Sequence, residues 1–336
     1  MAPETEKVIQ CMLAMQRYPW EQGVCGQALY EAGRDELWIA MAYDAVRRQS
    51  EDGRLAMIGG GPAVSDPAAN GEICFRAWQR TGNPYYLEGA ERMLDYLLHT
   101  APRTADGIIC HNNVSFHEGY SSRQLWADGI YMVPPFLAVM GKTEEAAEQI
   151  RRYIRHLFDE QAGLFYHIVD TETGRWVRKK HWATGNGWAM MGIARVIEAA
   201  GEQGFSRIRE ELSGFLNRLA DALFALQCRD GCFHDIPDDP ESFEDGTSAM
   251  MAAATVYRGV LHGYVLKSCL TRAEAAYRTV REQIDGMGLV RGVCGCPDFL
   301  AEGTSAEAQA AFIMADAWRD RLYGPDRPGN EINYEK

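Results

Sequence analysis

Asp128 is the one acid inside an otherwise apolar run, LWADGIYMVPPF (residues 125–136). Burial there would disfavour its charged form by stripping the carboxylate of water. A second acid, Asp66, opens the stretch SDPAANGE, and His167 lies in GLFYHIVD. The segment HWATGNGW (181–188) sets Trp182 and Trp188 around Thr184 and Asn186. Two carboxyls brought together can separate their pKa values, so that one holds a proton while the other stays ionised. Proton transfer to a glycoside needs that division of labour. Aromatic rings beside it favour a polar, ring-shaped ligand.

These residues must be brought together by elements that recur along the chain. Five segments share a glycine followed by apolar or aromatic residues: DGRLAMI at Gly53, DGIICHN at Gly107, AGLFYHI at Gly163, DGCFHDI at Gly231 and MGLVRGV at Gly288. Their spacings are 54, 56, 68 and 57 residues, a period that signals stacked supersecondary units. Each interval holds two stretches with apolar residues at helical spacing, such as RQLWADGIYMVPPFLAVMG followed by TEEAAEQIRRYIRHLF. The pattern predicts helices near 4–16, 20–32, 36–49, 70–81, 85–99, 121–140, 143–158, 184–200, 205–227, 246–264, 271–284 and 304–322. Twelve helices make six hairpins. The first, EKVIQCMLAMQ, and the last, AEAQAAFIMADAWRDRL, each carry an apolar face that needs a neighbour. Closure into an all-α (α/α)6 barrel supplies both, and residues 1–336 are expected to form this single catalytic domain. Alternate helices then line the interior. Asp66 and Asp128 start adjacent inner helices, and the glycine loops gather with them at one mouth.

Composition narrows the partner. With 34 basic against 47 acidic residues, the net charge of -13 argues against nucleic acid or an anionic membrane as the main partner. A small oligosaccharide substrate fits better, on a monomer or homodimer. The start, MAPETEKVIQCMLAMQ, lacks a secretory signal's basic start and apolar core, and no stretch approaches the roughly 18 apolar residues of a membrane span, so a cytoplasmic protein is expected. Nine cysteines, an odd number, read as reduced thiols. Cys294 with Cys296, and Cys228 with Cys232, lack a second pair at zinc-site spacing. Asp235, Asp238 and Asp239 lack an EF-hand's glycine and terminal glutamate and read as a solvated loop. No metal and no cofactor are expected.

The chain resembles the unsaturated glucuronyl and rhamnogalacturonyl hydrolases of glycoside hydrolase families 88 and 105. The likeness rests on WADGIYMVPPFLA (126–138), GLFYHIVD (163–170) and HWATGNGWAMMGIARVI (181–197), with weaker support from SDPAANGEICFRAWQRTGNPYY (65–86). It implies a substrate whose non-reducing sugar carries a C4–C5 double bond. An Asp protonates that enol ether, water adds at C5, the hemiketal opens and the glycosidic bond falls. On this resemblance Asp128 is the general acid and base, expected to be kept protonated by its apolar surroundings, and Asp66 is the partner that orients it or the sugar. His167 is a polar contact, and Trp182 and Trp188 are stacking walls. Trp126, His111, Thr184 and Asn186 complete the candidate substrate contacts, with helix capping the first reading for Asn186 and a sugar hydroxyl the second. Many family members have Arg where this chain has Thr184, and a cation is the expected partner of a uronate carboxylate. Lys179 or Lys180 in RKKH (178–181) is the candidate replacement, although such a charge run reads first as a solvated face.

Three other readings share the barrel. A sugar 2-epimerase or isomerase would use two of His111, His167 and His234 facing each other across the mouth. A glycosidase for a different, saturated glycoside would keep the acid pair. A non-catalytic sugar-binding protein would keep only the aromatic walls.

Overall fold

The glycine repeat is the joint of the fold. The computed structural model describes residues 3–58, 61–112 and 122–324. Gly53, Gly107, Gly163, Gly231 and Gly288 all have positive φ, from 71° to 110°, the left-handed region that glycine enters without steric cost. Each such turn follows one outer helix and seats on the next. A Cβ on Gly53 would lie 2.5 Å from the carbonyl oxygen of Arg92, and one on Gly288 would lie 2.5 Å from the backbone of Lys7. The last turn therefore returns to the first helix, and the outer layer closes.

The helices are α1 (Pro3–Met15), α2 (Pro19–Glu31), α3 (Asp35–Arg47), α4 (Ala69–Thr81), α5 (Pro84–Asp95), α6 (Gly129–Met132), α7 (Pro134–Val139), α8 (Thr143–Leu157), α9 (Ala183–Glu202), α10 (Ser206–Ala225), α11 (Gly246–Leu261), α12 (Leu270–Glu282) and α13 (Ala306–Tyr323). The inner ring runs α2, α4, α6 with α7, α9, α11 and α13, and α13 packs back on α2. Outside it lie α1, α3, α5, α8, α10 and α12, which makes an (α/α)6 barrel. Outer helices are amphipathic: α8 buries Ala146, Ala147, Ile150, Tyr153 and Leu157 and turns Arg151, Arg152 and Arg155 outward. Inner helices are buried nearly all round and rich in Ala and Gly. That lets backbones approach closely; a Cβ on Gly192 of α9 would lie 2.3 Å from the carbonyl oxygen of Ile130. Towards the other end of the inner helices, Arg195 and Arg258 share Glu31, and Glu72 and Glu198 complete a buried ion network.

The span 121–140 departs most from expectation. Residue 121 lies outside the described residues; Gln124–Trp126 is a strand, and helix begins only at Gly129 and is broken at Val133. Pro134 and Pro135 each lack an N–H and crowd the carbonyl four residues back, which ends α6. The strand joins a three-stranded antiparallel sheet with Ile168–Asp170 and Trp176–Arg178, in which Ile168 pairs with Trp126 on one side and Arg178 on the other. Among the described residues no helix is long and apolar enough to cross a membrane, and all nine cysteines are unpaired.

Candidate functional site

Every inner helix brings a polar group to the same mouth at its N-terminus. Glu21 lies in the first turn of α2, Asp66 in the 3-10 turn before α4, and Asp128 just before α6. Thr184 starts α9, Asp245 caps α11 and Glu307 lies in the first turn of α13. Free backbone N–H groups and the helix dipole favour carboxylates in these places. Asp245 accepts from the N–H groups of Thr247 (2.9 Å), Ser248 (3.1 Å) and Cys294 (2.9 Å). Glu21 accepts from the N–H groups of Arg17 and Tyr18.

Asp128 is largely buried, its side chain 15% exposed, with Oδ2 3.5 Å from Nε2 of His167. Backbone bonds fix both: Ala127 N–H donates to the His167 carbonyl, and His167 N–H to that of Lys180, each at 3.0 Å. On the far side of the imidazole, Arg178 Nη1 lies 3.2 Å from Nδ1, and Arg178 Nη2 is 3.3 Å from Asp235. Asp235 also accepts from Trp182 Nε1 at 2.9 Å. An aromatic ladder runs from His111, stacked on Trp126 at 4.4 Å, through an edge contact at 5.4 Å to His167, which stacks on Trp182 at 4.4 Å. At the ladder's start, His111 Nδ1 is 2.8 Å from Ser65 Oγ and 3.8 Å from Asp66.

The charges are distributed unevenly. Burial and the neighbouring Asp128 push the Asp66 carboxyl up from its ordinary value, against the pull of His111. Burial acts in the same sense on Asp128, but contact with His167 and the nearness of His111 outweigh it, so Asp128 lies below the usual value. This corrects the expectation that the apolar surroundings raise Asp128: of the pair, it is Asp66 whose carboxyl is raised. Burial and Asp245 push Asp235 up to about 6. Burial, with Glu21, Asp128 and Asp245, pushes Glu307 up to about 8.

Several buried polar atoms here lack a hydrogen-bond partner: Asn70 Oδ1, Asn112 Nδ2, Asp128 Oδ2, His167 Nε2, Thr247 Oγ1 and Glu307 Oε2. Leaving such an atom unmade costs about 1–3 kcal/mol, so their gathering at one mouth points to a polar ligand. A large open groove of about 1100 Å³ lies elsewhere, between α8 and α10; of the two arginines that line it, Arg151 and Arg207, Arg151 is paired with Glu148 and Glu211.

Other expected contacts are placed differently. Trp188 lies deeper, buried against Tyr131 at 4.6 Å. Asn186 is fully buried and clamps a loop, bonding the N–H and carbonyl of Phe165 and the carbonyl of Trp182. Thr184 donates to Asp245 at 2.6 Å. Lys179 lies over the rings of Tyr166 and Trp176, and the Lys180 ammonium is exposed beside Asp239, so neither cation is directed at His167 or Trp182; that of Arg178 is, its guanidinium 5.5 Å above the Trp182 ring. Asp235 is buried at the mouth, not solvated as the loop reading had it. Arg178, Asp245 and Glu307 escaped the sequence reading. WVR before the two lysines, at three residues, gave no periodic signal for Arg178. His111 and His167 each face an acid, and His234 bonds the Ser242 carbonyl at 2.7 Å. That is not the facing histidine pair an epimerase requires. Two groups among the described residues come close enough to hold an ion, Glu21 with Cys296 and Glu307, and Cys228 with Asp230 and Glu244.

Known proteins share both sequence and shape with this chain. The family model Glycosyl Hydrolase Family 88 matches residues 2–314. The unsaturated rhamnogalacturonyl hydrolase YesR of Bacillus subtilis (strain 168) is 30% identical over 263 residues, 75% of this chain and 74% of that protein. A possible member of the GH105 family from Klebsiella pneumoniae subsp. pneumoniae MGH 78578 has a similar structure, with a TM-score of 0.81 at 22% identity over 96% of this chain and 94% of that one. A family 105 glycoside hydrolase from C. acetobutylicum ATCC 824 gives 0.76 at 20% identity, over 95% and 99%.

Proposed function

The chain belongs to glycosyl hydrolase family 88, and from that premise we propose that it removes a C4–C5 unsaturated uronyl residue from the non-reducing end of an oligosaccharide. The name of its B. subtilis relative supports an unsaturated galacturonyl residue on a rhamnose-containing chain. The family match over residues 2–314 supports reading the chain as one catalytic domain.

The observation that carries this reading is the Asp66–Asp128 pair, in which burial and Asp128 raise the Asp66 carboxyl while His167 and His111 lower that of Asp128, a state in which one carboxyl holds a proton more readily than the other. Hydration of an enol ether needs that state. That proton passes through Asp128 to C4, and the Asp128 carboxylate then takes a proton from the water that bonds to C5. The hemiketal formed at C5 opens to a ketone, C1 becomes a hemiacetal, and this expels the aglycone with the glycosidic oxygen. The proton returns to the pair, so the enzyme ends as it began. Half-buried Trp126 offers a face to the sugar, whereas Trp182, expected as a stacking wall, is 2% exposed and covered by His167 and Arg178. Arg178, with N–H groups beyond those given to His167 and Asp235, supplies the cation for the uronate carboxylate in place of an arginine at 184.

The test is a panel of lyase-generated unsaturated disaccharides, with loss of double-bond absorbance as the readout, beside their saturated counterparts. Turnover of the unsaturated sugars alone is expected. Equal turnover of the saturated sugars, or of none, would overturn the reading.

A further inference from the structure

Arg178 is held by more contacts than a carboxylate clamp requires, and their direction fixes a proton. We propose that Arg178 is a positioning residue that locks His167 in the tautomer with its proton on Nε2, and so presents an N–H to the Asp128 carboxylate. This rests on reading Asp128 as the acid–base residue.

A guanidinium has donors and no acceptor. With Arg178 Nη1 at 3.2 Å, the Nδ1 of His167 must offer its lone pair. The single proton of a neutral imidazole then sits on Nε2, the nitrogen 3.5 Å from Asp128 Oδ2. Adding a second proton would set an N–H against the guanidinium N–H and a cation against a cation. Burial opposes it as well, and His167 lies below the ordinary histidine value.

The lock is assembled by tertiary structure. Ile168 pairs with Arg178 across the sheet, which brings the guanidinium to the residue before Ile168. Asp235, from the loop before α11, holds Arg178 Nη2, and Trp182 holds Asp235 while its ring supports both the imidazole and the guanidinium. The charged or titratable groups facing His167 are Asp128 at the start of α6, Arg178 on the third strand and His111 from the loop before the first strand. Only Asp128 favours a second proton. Without Arg178, His167 could charge and pin the Asp128 carboxylate in an ion pair that resists taking up the proton the reaction delivers.

The experiment uses the full chain without substrate, its histidines labelled with nitrogen-15, and reads imidazole nitrogen shifts from pH 5 to 8; a His167→Gln variant assigns the signals. Wild-type His167 should show a protonated Nε2 and a bare Nδ1 throughout. In Arg178→Met it should titrate within this range, with kcat at least about tenfold lower and the acid limb of the pH profile moved upward. Arg178→Lys, which keeps a charged donor, should restore the wild-type spectrum and limb. A wild-type proton on Nδ1, or an Arg178→Met spectrum like wild type, overturns the proposal. Loss of a carboxylate contact alone would raise KM and leave spectrum and limb unchanged, which also overturns it. Because the spectrum needs no substrate, a lock that holds in a protein inactive on unsaturated uronides would fault the functional reading alone.

Discussion

Oδ2 of Asp128 and Nε2 of His167 face each other across 3.5 Å, and neither has another hydrogen-bond partner among the described residues. At that distance the contact is long for a hydrogen bond. A polar group inserted between or beside them would satisfy both, as the proposed proton transfer requires.

Asp128→Asn keeps the shape of that centre but cannot move a proton. Turnover should fall by roughly 10²- to 10⁴-fold, with the melting temperature changing little. If Asp128 were only structural, the same variant would melt much earlier and, once folded, stay active. Thermal stability and turnover measured on one preparation decide between them.

On the proposed mechanism, Asp66 should set the alkaline side of the rate profile. Its carboxyl lies above the usual value, so the proton it holds is lost as pH rises through that raised value. In wild type, kcat/KM should fall on this limb at a pH above the ordinary carboxylate range. In Asp66→Asn the limb should disappear along with most of the rate. An unchanged limb in the variant would assign it to another group.

Glu307 should weaken the fold as pH rises. Its carboxyl is pushed from 4.5 to about 8, so between these values the folded chain holds a proton that the unfolded chain releases. The stability it contributes is complete below 4.5 and is lost as pH climbs to about 8. Relative to wild type, Glu307→Gln should gain stability over this window, by up to on the order of 4 kcal/mol. Denaturant unfolding at pH 5 and pH 8.5 measures it; a difference that does not grow with pH would contradict the prediction.

Activity should survive exhaustive chelation, because the proposed steps are proton transfers through Asp66 and Asp128. Loss of turnover in EDTA, restored by a divalent ion, would contradict this and direct attention to Glu21, Cys296 and Glu307. Their ligand atoms lie within 4.8 Å of one another.

The sequence by itself determined the barrel. Apolar spacing marks the helices locally, and a glycine that must take positive φ marks each long turn, so both survive without knowledge of what they touch. It also singled out Asp66, Asp128 and His167, since an acid in an apolar run and a histidine at a repeated loop position stand out against their neighbours. It did not reveal the strands Gln124–Trp126 and Trp176–Arg178, at three residues each too short to show a period and formed only because each pairs with Ile168–Asp170. With that sheet unseen, Arg178 read as one charge in a basic run. Only the tertiary structure decided which carboxyl is raised and which is lowered. A pKa follows from burial and from the distance to other charges, and the neighbours that matter for Asp128, His111 and His167, are 17 and 39 residues away along the chain.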